Sequence, residues 1–390
     1  MLVEYGNMFK YDECRANALY FASFLAFFTM FKRFFSKLVK LAVYGSIAGL
    51  LGLVFFAWRA SDPILRPYSS IQESGNPDAG MKLEYFTVIG ADGVPIKACL
   101  ASAQGEKSRS PRQSRVLDII KSRGKMKNFD AHAGLVIIST AWDEGILNSM
   151  NYAESLTSAG YDCLLWEPRG TEGQRKYCSY GHFESQDVPL LLDAAEKKRG
   201  SLGSVAAVGR GFGASLLTLA AVKDKRIRSV VNIDSFGALK TVISRDMEEE
   251  VGKTFAFPSF WLIDWALSAR AGYSSFDVTP VEAVRSFKLP MMFVCSEDYF
   301  FSRMNDVVSM YGANPNELKI LYSRRKSGEK GETREYSQIT KGKKDSRIEE
   351  KYTVNLYDGD DDLMACVAEW IEDNTQQPLP NLLPKESGSN

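Results

Sequence analysis

Three short runs hold the residues with chemical potential. "GRGFGAS", Gly209 to Ser215, is a glycine-rich turn between an apolar stretch, "SVAAV", and an Ala/Leu-rich one, "LLTLAAV". Acids follow apolar runs at Asp234 in "VVNID" and at Asp298 in "MMFVCSED". Two chemistries use a glycine-rich turn from strand to helix. One holds a serine above a sheet for attack on an ester; the other rests a pyrophosphate on the amides of a helix N-terminus. "GRGFGA" fits the second as G-x-G-x-x-A, with Asp234 at about the spacing of a ribose-holding carboxylate. Context argues against it, because that fingerprint opens its domain and here strands and "EPRG" come first. Imidazole is scarce: among 390 residues only His132 and His182 exist to serve as a base.

The elements around these runs alternate. "GLVIIST", "YDCLLWEP", "GSVAAVG", "IRSVVNID" and "LPMMFVC" read as continuous apolar strands. Between them, "NSMNYAESLTSAG", "ESQDVPLLLDAAEKK" and "ASLLTLAAVKD" have helical spacing. Such alternation predicts an α/β fold, a mostly parallel sheet with helices on both faces. "YFTVIGADGVPIKACLA" adds a hairpin around Ala91-Asp92-Gly93. Three insertions are expected. Residues 104–131 are basic and serine-rich, a solvated loop with one short helix or a patch for anionic lipid heads. Residues 237–288 form a helical lid whose Phe255, Phe257, Phe260, Trp261 and Trp265 either pack on the sheet or line an apolar pocket. Residues 323–350 are a charged loop with acids among its bases, unlike a nucleic-acid patch.

Four runs in order resemble the α/β-hydrolase superfamily, especially its membrane-anchored esterase and peptidase-like branches. "EPRGTEGQ" is similar to the D-x-R-G-x-G turn after the fourth strand, and "YGHFESQDV" to a Y-G-x-x-E-x-x-D-V segment that opens a helix. "GRGFGAS" stands at the nucleophile elbow, and "TPVEAVRSFKLPMMFVCSED" leads to the acid. The resemblance places Gly209 and Gly213 at the flanking glycines of G-x-S-x-G and Gly211 where the serine belongs. It gives Asp298 the acid position, with Asp234 as a second place for that acid. The backbone amides of Ala141 and Phe212 become an oxyanion-type pair. The histidine should follow the acid, yet none occurs after His182; the last loop carries Asp360, Asp361 and Asp362 instead. His182 lies on the correct edge at a position the family uses structurally, His132 on the wrong one. Ser215 lies one helical turn past Gly211 and is expected to be packed. The resemblance therefore implies a binding or scaffold domain for an apolar small molecule, lipid or peptide. The alternatives are an esterase or peptidase-like enzyme with a rearranged site, in which Asp298 or Asp234 handles a water, and dinucleotide binding.

Leu41 to Trp58 contains no charged residue and follows Lys32, Arg33, Lys37 and Lys40. Its roughly 27 Å of helix matches a bilayer's hydrocarbon, so the lipid bilayer is an expected partner through 41–58. The positive-inside rule puts residues 1–40 in the cytoplasm and the main domain on the far side, as a single-pass anchor. An earlier apolar patch, Leu19 to Phe31, reads as an interfacial helix or half of a hairpin; a start at Met30 would leave a complete anchor. Gly45 and Gly49 form a G-x-x-x-G. A linker is expected over 59–81, the hydrolase-like domain over 82–375 and a disordered tail over 376–390. With 48 basic and 48 acidic residues the net charge is zero, which supplies no field for nucleic acid. The six cysteines form no CxxC pair and read as buried thiols; neither a cofactor nor a metal is expected.

Overall fold

The computed structural model describes residues 2–66, 80–104, 108–124, 126, 134–140, 146–170, 177–286, 288–296, 303–327, 333–339, 351–355 and 361–375. It divides into two compact units, Met1–Arg59 and Ala60–Asn390. The first is a helix, α1 (Leu2–Ala60). The two apolar patches that suggested a hairpin lie on this one continuous helix. No residue inside it breaks the i to i+4 ladder, since α1 contains no proline. Side chains from Phe27 to Phe56 are largely exposed, and the stretch is long and apolar enough to cross a membrane by length and composition.

The second unit starts with a short helix, α2 (Asp62–Leu65), and a hairpin, β1 (Met81–Ile89) and β2 (Pro95–Ala103). Next come α3 (Pro111–Arg123), β3 (Gly134–Ser139), α4 (Ile146–Ser158), β4 (Asp162–Trp166) and α5 (Glu184–Arg199). The centre is β5 (Ser204–Arg210), α6 (Phe212–Lys223) and β6 (Ile227–Ile233). Then follow α7 (Leu239–Val251), α8 (Lys253–Ala271), α9 (Pro280–Ser286), β7 (Met291–Ser296) and α10 (Met304–Ala313). The last elements are β8 (Lys319–Ser327), β9 (Thr333–Ile339), β10 (Lys351–Asn355) and α11 (Asp361–Thr375).

The strands form one sheet in the order β1-β2-β4-β3-β5-β6-β7-β8-β9-β10. Pairing is parallel from β4 through β8 and antiparallel at both ends. Alternate residues of each strand enter opposite cores, as the pleat requires. Leu135, Ile137, Val205 and Ala207 pack with α5, α6, α7, α8 and α10. Val136, Ile138, Ala206 and Val208 pack with α3, α4 and α11. This is the doubly covered α/β-hydrolase architecture that the sequence resemblance implies.

Several expectations need correction. The 59–81 segment is not wholly a tether: Ser61 and Leu65 are completely buried. The amide of Cys178 donates to the Leu65 carbonyl at 3.0 Å, and the Tyr180 hydroxyl to that of Ile64 at 2.9 Å. In the basic insertion the expected short helix is present, and it is not wholly solvated. This helix, α3, starts with a capping box, Ser110 with Gln113, and ends on a left-handed Gly124. Val116 and Ile120 then enter the core. Its bases meet acids of α11 instead of lipid: Arg112 and Arg115 each reach Asp361 at 3.0 Å, and Arg123 reaches Asp362 at 3.4 Å. The charged 323–350 segment begins as sheet, because β8 and β9 pair from Leu321 with Ile339 to Ser327 with Thr333. Tyr, Thr and Ile interleaved with the charges favour extended backbone. In the lid, Phe260 is buried, but Phe255, Phe257, Trp261 and Trp265 are exposed.

Candidate functional site

Helix α6 is pressed against β3 and β5, and this closeness dictates two of the three glycines at the elbow. A Cβ on Gly209 would meet the backbone of Ala214, 2.6 Å from its nitrogen. A Cβ on Gly213 would meet the Ser139 carbonyl and lie 2.6 Å from the Thr140 oxygen. Neither obstacle is a flexible side chain, so both positions accept hydrogen only.

Gly211 has a different requirement. It sits at φ 55°, ψ −122°, a conformation that L-residues rarely adopt. Its amide donates to the Ile233 carbonyl at 2.7 Å, tying the turn to the end of β6. The backbone thus has the strained form that raises a nucleophile over a sheet, and no side chain to raise. Behind it, Phe212 and Gly213 open α6, where amides lack an intrahelical acceptor. The Phe212 ring is wholly buried and meets Tyr180 edge-on at 5.5 Å. Ala141, the other half of the expected amide pair, lies outside the described residues, as do Asp298, His132 and Asp360. Just before Ala141, Thr140 fastens the end of β3 to α4 through Ser149, hydroxyl to hydroxyl at 2.9 Å.

Asp234 is structural where it is seen. It stands at φ 53° just past β6 and is 1% exposed. Its Oδ1 accepts from the Ser296 amide at 2.6 Å and its Oδ2 from the Ser296 hydroxyl at 2.9 Å. Both oxygens are thereby engaged with the end of β7. Ser215 is also spoken for: its hydroxyl donates to the Phe236 carbonyl at 3.1 Å and accepts from the Phe236 amide at 3.2 Å, fully buried.

His182 stacks on Tyr273 at 6.1 Å and meets Phe183 edge-on at 4.6 Å. Burial lowers its pKa and Lys223 adds to this, with Asp277 opposing. Among the described residues no hydroxyl is hydrogen-bonded to its ring. The two motifs around it turn out to be joints. Arg169 of "EPRG" grips Asp187 of "YGHFESQDV" with two 2.8 Å bonds, Nε to Oδ2 and Nη2 to Oδ1, and both side chains are nearly inaccessible. Asp187 also accepts from the Ala91 amide at 3.4 Å in the hairpin turn. Glu184 accepts from the amides of Ser179 at 2.7 Å and Gly181 at 2.9 Å, and from the Ser179 hydroxyl. Burial raises its pKa, and these donors oppose the shift.

Sequence reasoning missed Tyr180. It holds φ 53°, joins Phe212 at the elbow to Ile64, and contributes to a cleft of about 110 Å³. Ile64, Leu239, Val242 and Ile243 supply apolar lining to the cleft, and Arg245, Asp246, Glu249 and Arg303 its charges. Arg245 pairs with Asp306 at 2.8 Å. Burial, with Glu250 and Glu249 nearby, raises the Asp246 pKa. No spacing in the sequence announces this cleft, since it joins four segments more than 50 residues apart.

No family model matches the chain. An uncharacterised protein of Bacillus subtilis strain 168, YqkD, is 22% identical over 180 residues, spanning 45% of this chain and 58% of that protein. Among solved structures, the Pyrococcus furiosus esterase PF2001 aligns with 66% of this chain and 87% of its own, at TM-score 0.48 and 14% identity. An acylaminoacyl peptidase of Pyrococcus horikoshii aligns over 64% of this chain and 37% of its own, at TM-score 0.43 and 11% identity. A cold-adapted esterase from an Arctic intertidal metagenomic library aligns over 66% and 90%, at TM-score 0.40 and 13% identity. Similarity at this level concerns chain path; the fold rests on the strand order and register given above.

Proposed function

We propose that the protein is a membrane-anchored α/β-hydrolase-fold domain that has lost hydrolytic chemistry and acts by binding. The observation that carries this reading is Gly211, a strained elbow residue with no attacking oxygen. Acyl transfer needs a nucleophile activated by a base. No serine stands at the elbow, Ser215 is buried, and the sequence has no histidine after His182. The apolar cleft beside Tyr180 is the place for a small apolar group, with Arg245 and Asp246 orienting a polar end. The apolar part of α1 serves as the anchor, and the lysines and arginine before it favour a cytoplasmic N-terminus with the domain on the far side.

The test is a fluorophosphonate probe applied to the full-length protein in membranes, with an active serine esterase alongside. An unlabelled chain, together with no turnover across esters, thioesters and peptides, supports the reading. Labelling at any serine overturns it.

A further inference from the structure

The exposed aromatic residues of α8 form a surface that nothing in the elbow or cleft uses. Phe257, Trp261 and Trp265 recur every four residues, so they lie in one stripe on the helix. They are 72%, 50% and 48% exposed. Trp261 stacks on Phe276 at 5.7 Å, and Lys240 lies 5.1 Å above the Phe276 ring. Exposed aromatics in such a run mark a surface meant to be covered.

Charge along α8 tells what covers it. Between Lys253 and Arg270 the only charged residue is Asp264. It is buried and turns inward, accepting from the Ser274 hydroxyl at 2.9 Å and the Ser275 amide at 2.7 Å. The outward face is therefore uncharged between an exposed Lys253 at the start of the helix and Arg270 at its end, whose guanidinium is buried against Asp62. An uncharged face rich in Trp and Phe is the composition of a helix lying at a membrane–water boundary, where indoles sit at headgroup level.

The path of the chain points the same way. Ser61 follows the last residue of α1 and belongs to the same compact unit as α8. Arg270 at the end of α8 donates to the Ser61 hydroxyl at 2.6 Å and to Asp62. At helical rise, Trp265 is then roughly 8 Å and Phe257 roughly 20 Å along the axis from that fastening. If the chain leaves a bilayer at Ala60, the aromatic stripe begins within a headgroup's depth of the exit.

We infer that the Phe257–Trp261–Trp265 face of α8 lies in the interface of the bilayer that α1 enters. This rests on the reading of α1 as a span. Glu248, Glu249 and Glu250 at the end of α7 are exposed, so the contact draws on aromatic partition and not on anionic lipid.

The test places the full-length chain in zwitterionic vesicles with and without lipid brominated high in the acyl chain, and reads tryptophan quenching. Wild type, W261F/W265F and W58F are compared; phenylalanine keeps each ring apolar, and a thermal melt checks folding. The expected result is quenching that falls about threefold in W261F/W265F, because of the three tryptophans this inference puts at the bilayer only Trp58 remains. Quenching lost in W58F but unchanged in W261F/W265F overturns the inference and leaves the span standing. Quenching absent from all three removes the span and the inference with it. Emission from Trp261 and Trp265 that shifts with protein concentration and ignores bromolipid assigns the face to a second copy, which also overturns the inference.

Discussion

Restoring the missing side chain with Gly211→Ser separates a lost nucleophile from a merely displaced one. The turn already holds φ 55° and ψ −122°, so the serine would inherit the elbow backbone without a rearrangement of β5 or α6. That backbone costs an L-residue about 1–3 kcal/mol, and the variant should be less stable than wild type by that amount. For a domain of this size about 1 kcal/mol corresponds to roughly 2–4 °C, so a drop of several degrees in Tm is expected. Chemistry should not return. A positioned base contributes about 10²–10⁴ in rate, and a serine at its own pKa is a poor nucleophile without one. His182 is held between Phe183 and Tyr273, and Asp234 is held by Ser296. The assay is hydrolysis of short p-nitrophenyl esters by the detergent-solubilised full chain, with fluorophosphonate labelling in parallel. Robust turnover in Gly211→Ser that disappears in Gly211→Ser/His182→Ala would refute the reasoning, since it would show an imidazole within reach of the elbow.

Other outcomes follow from the packing. Gly213→Ala should cost about 3 kcal/mol, the upper end for overpacking, because its methyl meets backbone on β3; Gly93→Ala, with open space around it, should cost about 1 kcal/mol. Denaturant midpoints measure both, and equal effects would refute the steric argument. Arg169→Ala leaves Asp187 buried without its partner and should destabilise by about 3–5 kcal/mol in the same assay. His182 should titrate below the ordinary 6.5 by NMR, because burial disfavours its charged form. The unfolded chain then binds that proton more readily, so His182's contribution to stability is intact above pH about 6.5 and declines as the solution is acidified.

What was legible in the sequence depended on locality. Strands β3, β4, β5, β6 and β7 announced themselves because both faces of each are buried, which demands uninterrupted apolar runs. The elbow glycines were legible because their spacing is short. The helical nature of α3 showed, but not its burial, since Arg112, Arg115 and Arg123 look solvated until the acids of α11, some 240 residues later, arrive beside them. The lid aromatics misled for a related reason. Periodicity gives a stripe but not its direction, and at α8 the sheet is met by Ala256, Phe260, Ile263 and Leu267 instead. Asp234 illustrates the limit for chemistry: its position past a strand suits an acid, and only its bonds to Ser296 reveal a latch.

The clasp between Arg169 and Asp187 bears on how such proteins are recognised. It joins the turn after β4 to the start of α5 and steadies the β1–β2 hairpin, work that goes on whether or not an ester is ever cleaved. Two of the four signatures that tied this chain to hydrolases are therefore records of assembly. A genome survey keyed to them would gather chains whatever residue stands between the elbow glycines, and would need to inspect that residue before assigning any reaction.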